Sequence, residues 1–291
     1  MGLTRLGVLG WPVAHSRSPA MQNAALRAVG LDDWRYQHVP IPPELFAETV
    51  RALHGAGFVG ANVTIPHKEA ALALADDATP AARAIGAANM LYLSEGTIAV
   101  DNTDAPGLMA ALGDPPPGTA LLLGAGGTAR AAAYALSRAG AAVKVWNRTA
   151  DRARALAADL DVEAVDAPGP ADALVNCTSV GLADPLTTFK DLPLSADCLG
   201  QYACVVDFVY RAGGTPLVQE AQRRGSRTID GLEILVAQGA LSFEGWTGRA
   251  APLDVMRQAA REDPADRDER LPTSPPPPGR AANGRGRGAG R

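Results

Sequence analysis

Thr119-Ala120-Leu121-Leu122-Leu123-Gly124-Ala125-Gly126-Gly127-Thr128-Ala129 is the stretch whose reading decides the fold. A short apolar run with the composition of a buried strand enters a glycine-rich turn, and a helical pattern follows. Gly124-x-Gly126-x-x-Ala129 fits the dinucleotide fingerprint, with Ala in the third place. The first glycine permits the tight turn, the second lets a pyrophosphate approach the backbone, and the third position needs a small side chain for helix–strand packing. A helix beginning there offers free N–H groups and its positive end to phosphate. A glycine-rich turn alone is weak evidence; its place between strand and helix is what gives it weight.

Downstream, the next strand, Ala142 to Trp146, ends in Asn147-Arg148-Thr149. A fold selective for NAD places an acidic residue roughly 20 positions after the turn, against the ribose 2′-hydroxyl. Neither Asn147 nor Arg148 is acidic. The planar donor fork of an arginine binds a 2′-phosphate instead. Arg152, one helical turn on, adds a second positive charge, so NADP is expected over NAD. Further strands are expected at Ala173 to Asn176, Val205 to Val209 and Arg227 to Ile229. The alternation of strand and helix predicts a parallel, doubly wound sheet, and thus an α/β protein with a Rossmann-type lobe over 118–231.

Upstream, Asp114-Pro115-Pro116-Pro117-Gly118 reads as a stiff connector and a domain boundary. The N-terminal lobe, 1–113, alternates strands at Leu3 to Leu9, Trp34 to Ile41 and Val59 to Thr64 with helices. Ser18-Pro19 reads as a cap and first turn. A helical run is expected from Pro66 through Leu74. Met90 to Leu93 and Thr97 to Val100 flank Glu95-Gly96 as a hairpin, and Asp104 opens a helix to Leu112. Two last helices, Gly231 to Trp246 and Pro252 to Glu262, are expected to return to the first lobe. From 263 to 291 the chain turns to Pro, Gly and Arg and is expected to be a disordered tail. Its Gly-Arg repeats could bind nucleic acid weakly, but no specific nucleic-acid role is expected.

The chain has 291 residues, 47% hydrophobic, enough for two cored lobes, and a net charge of −4 that gives no general attraction to nucleic acid or anionic membrane. No apolar run approaches a membrane span, and the N-terminus lacks signal-peptide order. Three cysteines without zinc-ligand spacing, Cys177, Cys198 and Cys204, fit a reducing, cytoplasmic setting and no metal site. The oligomeric state is not set by these features; a homodimer is compatible with them.

Two N-terminal signatures carry the chemistry. Asn62-Val63-Thr64-Ile65-Pro66-His67-Lys68 supplies a lysine, and Asp101-Asn102-Thr103-Asp104 supplies a carboxylate. Asn62 and Thr64 alternate on a strand and point to one face. Asp104 could instead be a helix cap. Ser16 and Ser18 bracket Arg17, one hydroxyl free to cap a helix and the other to face a ligand. Asn89 follows Gly86-Ala87-Ala88. Hydroxyls and amides suit a polyhydroxylated acid, and a Lys and Asp beside a hydride-carrier fold suggest carbonyl reduction or alcohol oxidation.

Taken in order, these motifs resemble the shikimate/quinate dehydrogenase family from about Leu6 to Leu253: Ser-x-Ser, Asn-Val-Thr-x-Pro-x-Lys, Gly-Ala-x-Asn, Asn-Thr-Asp, Gly-Ala-Gly-Gly and Asn-Arg-Thr. Asn176 to Gly181, Asp207-Phe208-Val209-Tyr210 and Gly231 through Gln238 continue the series. The resemblance implies that Ser16 and Ser18 hold a substrate carboxylate, and that Asn62, Thr64, Lys68, Asn89, Asp104, Tyr210 and Gln238 line the hydroxylated ring. It implies NADP against Gly124, Ala125, Gly126, Gly127, Thr128, Asn147, Arg148, Thr149 and Arg152, with Thr178, Phe208 and Gly231 near its ribose or nicotinamide. The implied reaction is reversible NADPH-dependent reduction of 3-dehydroshikimate to shikimate, a step toward aromatic amino acids, with Lys68 and Asp104 as the catalytic pair. Departures from the family pattern fall at Gln22 (often His), Met90 (often Thr), Ile234 (often Met) and Ala212 (often Pro). The alternatives are a family member acting on quinate or an amino analogue, a folate-linked dehydrogenase with a catalytic lysine, and a silent NADP-binding sensor. The Ser-x-Ser and Asn-Thr-Asp motifs argue against the second, and the presence of both Lys68 and Asp104 against the third.

Overall fold

Two six-stranded sheets organise the chain. The structure is a computed structural model and describes residues 2–211 and 213–262. The expected tail over 263–291 and the departure at Ala212 lie outside the described residues.

The first sheet is built from β1 (Thr4–Gly10), α1 (Ser18–Ala28), β2 (Trp34–Pro40), α2 (Phe46–Leu53), β3 (Phe58–Val63), α3 (Lys68–Leu74), β4 (Asp77–Ala78), α4 (Pro80–Ile85), β5 (Met90–Ser94) and β6 (Thr97–Asp101). Its order is β2-β1-β3-β5-β6-β4, mixed rather than wholly parallel: β3, β5 and β6 run antiparallel and the other pairs are parallel. The hairpin at Glu95-Gly96 imposes the reversal, with Ser94 opposite Thr97. α5 (Asp104–Leu112) then leads across to the second sheet.

That sheet comprises β7 (Thr119–Leu123), α6 (Gly127–Arg138), β8 (Ala142–Trp146), α7 (Ala150–Leu160), β9 (Glu163–Ala164), β10 (Ala173–Asn176), α8 (Thr188–Asp191), β11 (Cys204–Asp207), α9 (Pro216–Arg223) and β12 (Arg227–Ile229). Its order, β12-β11-β10-β7-β8-β9, is parallel throughout and has the Rossmann arrangement. Both faces of β7 are covered, so Ala120 to Leu123 are fully buried, which is why an unbroken apolar run reads as a strand here. The topological switch lies between β7 and β10, and a ligand crevice is expected outside their carboxyl ends.

α10 (Gly231–Thr247) and α11 (Leu253–Arg261) follow. Leu232, Val236, Ala240, Phe243, Met256 and Ala260 share one core with Leu6 and Val8 of β1 and Met21, Ala25 and Leu26 of α1. Gln22, where the family often has His, donates to Gly239 O at 2.9 Å and so joins α1 to α10.

Three local expectations are corrected. The helix expected from Pro66 begins at Lys68, because the His67 N–H is taken by Thr64 O at 2.9 Å in a preceding turn. The strand expected to run through Val209 stops at Asp207, whose Oδ1 accepts the Val209 N–H at 3.0 Å and turns the chain. Ser18 makes no side-chain cap of α1; instead Ser16 Oγ accepts the Ser18 N–H at 3.3 Å.

Candidate active site

Lys68 opens α3 and Asp104 opens α5, and both are almost wholly buried. Lys68 Nζ donates to Asp104 Oδ2 at 2.5 Å and to Thr128 Oγ1 at 2.9 Å. An ammonium has three donors, so one N–H is left for a ligand. The other carboxylate oxygen, Asp104 Oδ1, accepts from Asn89 Nδ2 at 2.8 Å. The cap of α5 falls to Asn102, whose Oδ1 accepts the N–H groups of Asp104 and Ala105 at 3.1 and 3.2 Å. Asp104 is therefore relieved of the helix-cap role and turns its carboxylate to the lysine.

Thr128 stands in the first turn of α6, so the ion pair touches the glycine turn directly. Gly127 makes that possible: a Cβ there would lie 2.7 Å from Lys68 Cβ and 3.2 Å from Ala87 Cβ. Gly127→Ala is expected to push Lys68 from its place and lower turnover by about 100-fold, the scale of a 1 Å misplacement in a catalytic array. Steady-state kinetics beside a melting curve checks this; near-normal turnover would show that the close approach is dispensable. Gly124 has φ of 111°, a region that side chains avoid, and a Cβ on Gly126 would meet no atom within 4 Å, leaving space above the turn. Ala129 is fully buried at the helix–sheet contact, and α6 has no side-chain cap, so its first N–H groups are open to an anion.

Two adjoining cavities meet at this pair. The first is lined by Ser16, Ser18, Asn62, Thr64, Lys68, Asn89, Asp104, Tyr210 and Gln238, which brings together all the residues expected at the catalytic and substrate positions. The second is lined by Gly124 to Thr128, Asn147, Arg148, Arg152 and Thr178. Lys68, Thr128 and Thr178 line both. Three residues expected near the nucleotide do not line the second cavity. Phe208 and Gly231 line the first cavity rather than the second. Thr149 lines neither; it precedes α7 and offers its carbonyl to Asn147 Nδ2 at 2.9 Å.

The first cavity is floored by a polar network that local sequence does not reveal. Asn62 Oδ1 accepts from the buried Tyr36 hydroxyl at 2.9 Å, while its Nδ2 donates to Asn89 O at 3.1 Å and Ser242 Oγ at 2.9 Å. Asn89 Oδ1 accepts the Thr103 N–H at 2.7 Å, and its Nδ2 also reaches Gln238 Oε1 at 3.3 Å. Tyr36 and Ser242 were missed: the only signals are strand alternation for Tyr36 and the four-residue spacing of Ser242 from Gln238 on α10. Burial pushes the Tyr36 phenol well above its ordinary range, with a smaller opposing effect from Ser18, so it stays a neutral donor. Burial also raises Tyr210, opposed by the Arg17 N–H and the Ser16 side chain. Of the other departures, Met90 is buried with its methyl toward Gly245 of α10, and Ile234 lines the first cavity. Among the described residues no His, Cys, Asp and Glu group is arranged to hold a metal, and no helix is long and apolar enough to cross a membrane.

Comparison with known proteins identifies the family. The family models described as shikimate dehydrogenase substrate binding domain, shikimate/quinate 5-dehydrogenase and shikimate 5′-dehydrogenase C-terminal domain match residues 8–91, 113–175 and 231–261. A shikimate dehydrogenase (NADP(+)) from Thermus thermophilus is 46% identical over 264 residues, 89% of this chain and 98% of the relative. The crystal structure of a Thermus thermophilus shikimate 5-dehydrogenase with NADP(H) and shikimate has a TM-score of 0.79 at 43% identity, over 89% of this chain and 98% of that one. A 5-ketofructose reductase from Gluconobacter shares the fold at TM-score 0.76 and 34% identity, over 88% and 97% of the two chains. With that identity held across 89% of its length, the chain belongs to the shikimate dehydrogenase family.

Proposed function

We propose that the protein is an NADP-dependent shikimate dehydrogenase that interconverts 3-dehydroshikimate and shikimate. The observation that carries this reading is the Lys68–Asp104 pair at 2.5 Å, buried where a cavity lined by hydroxyls and amides adjoins one lined by the glycine turn and two arginines. Residues 1–113, with 232–262, form the substrate-binding domain, and 118–231 the NADP-binding domain. The match of the substrate-binding family model to residues 8–91 supports that division.

The residues present fit the dinucleotide. The open space at Gly126, the uncapped start of α6 and the arginines at 148 and 152 together suit a pyrophosphate and a 2′-phosphate. When bound, NADPH supplies hydride to the substrate carbonyl carbon. Lys68 turns its remaining N–H toward the carbonyl oxygen, stabilises the negative charge that develops there and gives it a proton. Asp104 and Thr128 hold the ammonium so that little reorganisation is needed. Ser16 and Ser18 take the carboxylate, while Asn62, Thr64, Asn89, Tyr210 and Gln238 set the ring hydroxyls, directly or through the floor network. The three cysteines are all unpaired, which supports a cytoplasmic setting. A homodimer completes the reading, and light scattering on the purified chain tests it.

Purified protein is expected to reduce NADP with shikimate and to do so far more slowly with quinate or with NAD. Because the fold also serves a reductase named for a keto-sugar, 5-ketofructose with NADPH belongs in the same assay. Turnover of the keto-sugar or quinate without turnover of shikimate would reassign the substrate.

A further inference from the structure

The loops 177–182 and 208–211 leave the carboxyl ends of β10 and β11, where Asn176 and Asp207 stand side by side in register. They are tied together twice. At the base, Asn176 Nδ2 donates to Asp207 Oδ1 at 2.9 Å. Asn176 Oδ1 holds the N–H and hydroxyl of Thr178 at 3.1 and 2.6 Å. Asp207 holds the Val209 N–H through Oδ1 at 3.0 Å and the Thr215 hydroxyl through Oδ2 at 2.6 Å. At the rim, Arg211 Nη1 donates to Gly181 O at 3.2 Å and Leu182 O at 2.9 Å.

These ties join the two cavities. Thr178 and Ser179, on one loop, line both; Tyr210, on the other, lines the first, and its hydroxyl accepts the Arg17 N–H at 3.3 Å beside Ser16 and Ser18. Asp207 and Arg211 themselves line neither cavity. Asp207 is nonetheless 1% exposed, and burial pushes its carboxyl up to about 6 against the opposing hydrogen bonds of Thr215, Val209 and Asn176. A carboxylate kept in so unfavourable a place, with every hydrogen bond directed to a loop or to the strand end beneath it, acts on the loops.

We propose that Asp207 and Arg211 are positioning residues that make the two loops one unit, so that nucleotide against Thr178 and Ser179 sets Tyr210 for the acid, and acid at Tyr210 sets Thr178 and Ser179 for the nucleotide. The proposal rests on the two-ligand reading above. Such coupling is reciprocal by linkage. Ties that only held the fold together would lower the melting temperature and leave the coupling untouched.

The test uses NADPH and shikimate, which are both reduced and cannot react. NADPH binding is titrated by fluorescence with and without saturating shikimate. The wild type is expected to bind NADPH about fivefold or more tightly with shikimate present. In Arg211→Ala and in Asp207→Ala that factor is expected to fall below about twofold, with Arg211→Lys restoring part of it. Should Asp207→Ala fail to fold, the half-buried Arg211 decides alone. A wild-type factor near one, or a factor unchanged in the variants, overturns the proposal. Failure of the wild type to bind either ligand overturns the functional reading instead, and the proposal with it.

Discussion

Lys68→Ala is expected to lower kcat by about 1,000-fold or more while the KM for shikimate moves by less than about tenfold. General acid–base catalysis contributes about 10²–10⁴-fold, and a single oxyanion donor about 10²–10³-fold; Lys68 is asked for both. Binding is spared because the hydroxyl and amide groups around the first cavity remain. The same substitution strands Asp104, whose side chain is 8% exposed, and removing one partner of a buried pair destabilises by roughly 3–5 kcal/mol. Turnover and stability would then fall together and be confused. The double variant Lys68→Met with Asp104→Asn separates them. It leaves no charge at the buried pair, so its melting temperature is expected to recover most of the loss while turnover stays lost. Kinetics and calorimetry on the two variants check this. If Lys68→Ala kept more than about a tenth of normal turnover, the proton and charge would be handled by another group.

Much of this site can be read from the chain because its parts are short and local. The glycine turn follows a buried strand, and the lysine and carboxylate each sit in a polar heptad or tetrad whose spacing is set by one strand or one helix start. What joins those parts is long-range. The Lys68–Thr128 contact spans 60 positions, and Asn62–Ser242 spans 180; no periodicity within a segment encodes either. The same limit applies to the ends of β10 and β11. Asn176 reads as the last residue of its strand and Asp207 as a residue inside one running to Val209, and only their lateral pairing shows that their side chains bind each other and hold the loops beyond. Helix starts failed for a different reason. Thr79-Pro80 and Thr215-Pro216 carry a cap followed by proline, and both threonines do cap, accepting from Ala82 and Val218 N–H. The rule applied at Ser18-Pro19 finds those two helices, whereas at Ser18 itself the hydroxyl two residues earlier does the work instead. Residue type alone does not say which of two adjacent hydroxyls will satisfy the helix end.

Arg148→Ala is expected to raise the KM for NADP by about 10–100-fold and to leave the KM for NAD within about threefold. A hydrogen bond to a charged group is worth about 1.5–3 kcal/mol, and about 1.4 kcal/mol is tenfold in affinity. Arg148 lines the second cavity, is exposed, and makes no ion pair among the described residues, so its whole donor fork is available to a 2′-phosphate. Arg152 starts from a different position. Its guanidinium lies 3.9 Å from Glu69 Oε1, with both side chains more than half exposed. Such a pair is weak and screened, yet it offers a competing anion that a phosphate must displace. Arg152→Ala is therefore expected to have the smaller effect, and Glu69→Gln to tighten NADP slightly without helping NAD. The order of effects, Arg148 before Arg152 with Glu69 opposed, is what distinguishes phosphate recognition from a general positive field, which would respond to each charge alike and fade with added salt. Equal losses for NADP and NAD in Arg148→Ala would place the arginine against the adenosine or pyrophosphate, and cofactor selectivity would then have to come from another part of the cleft.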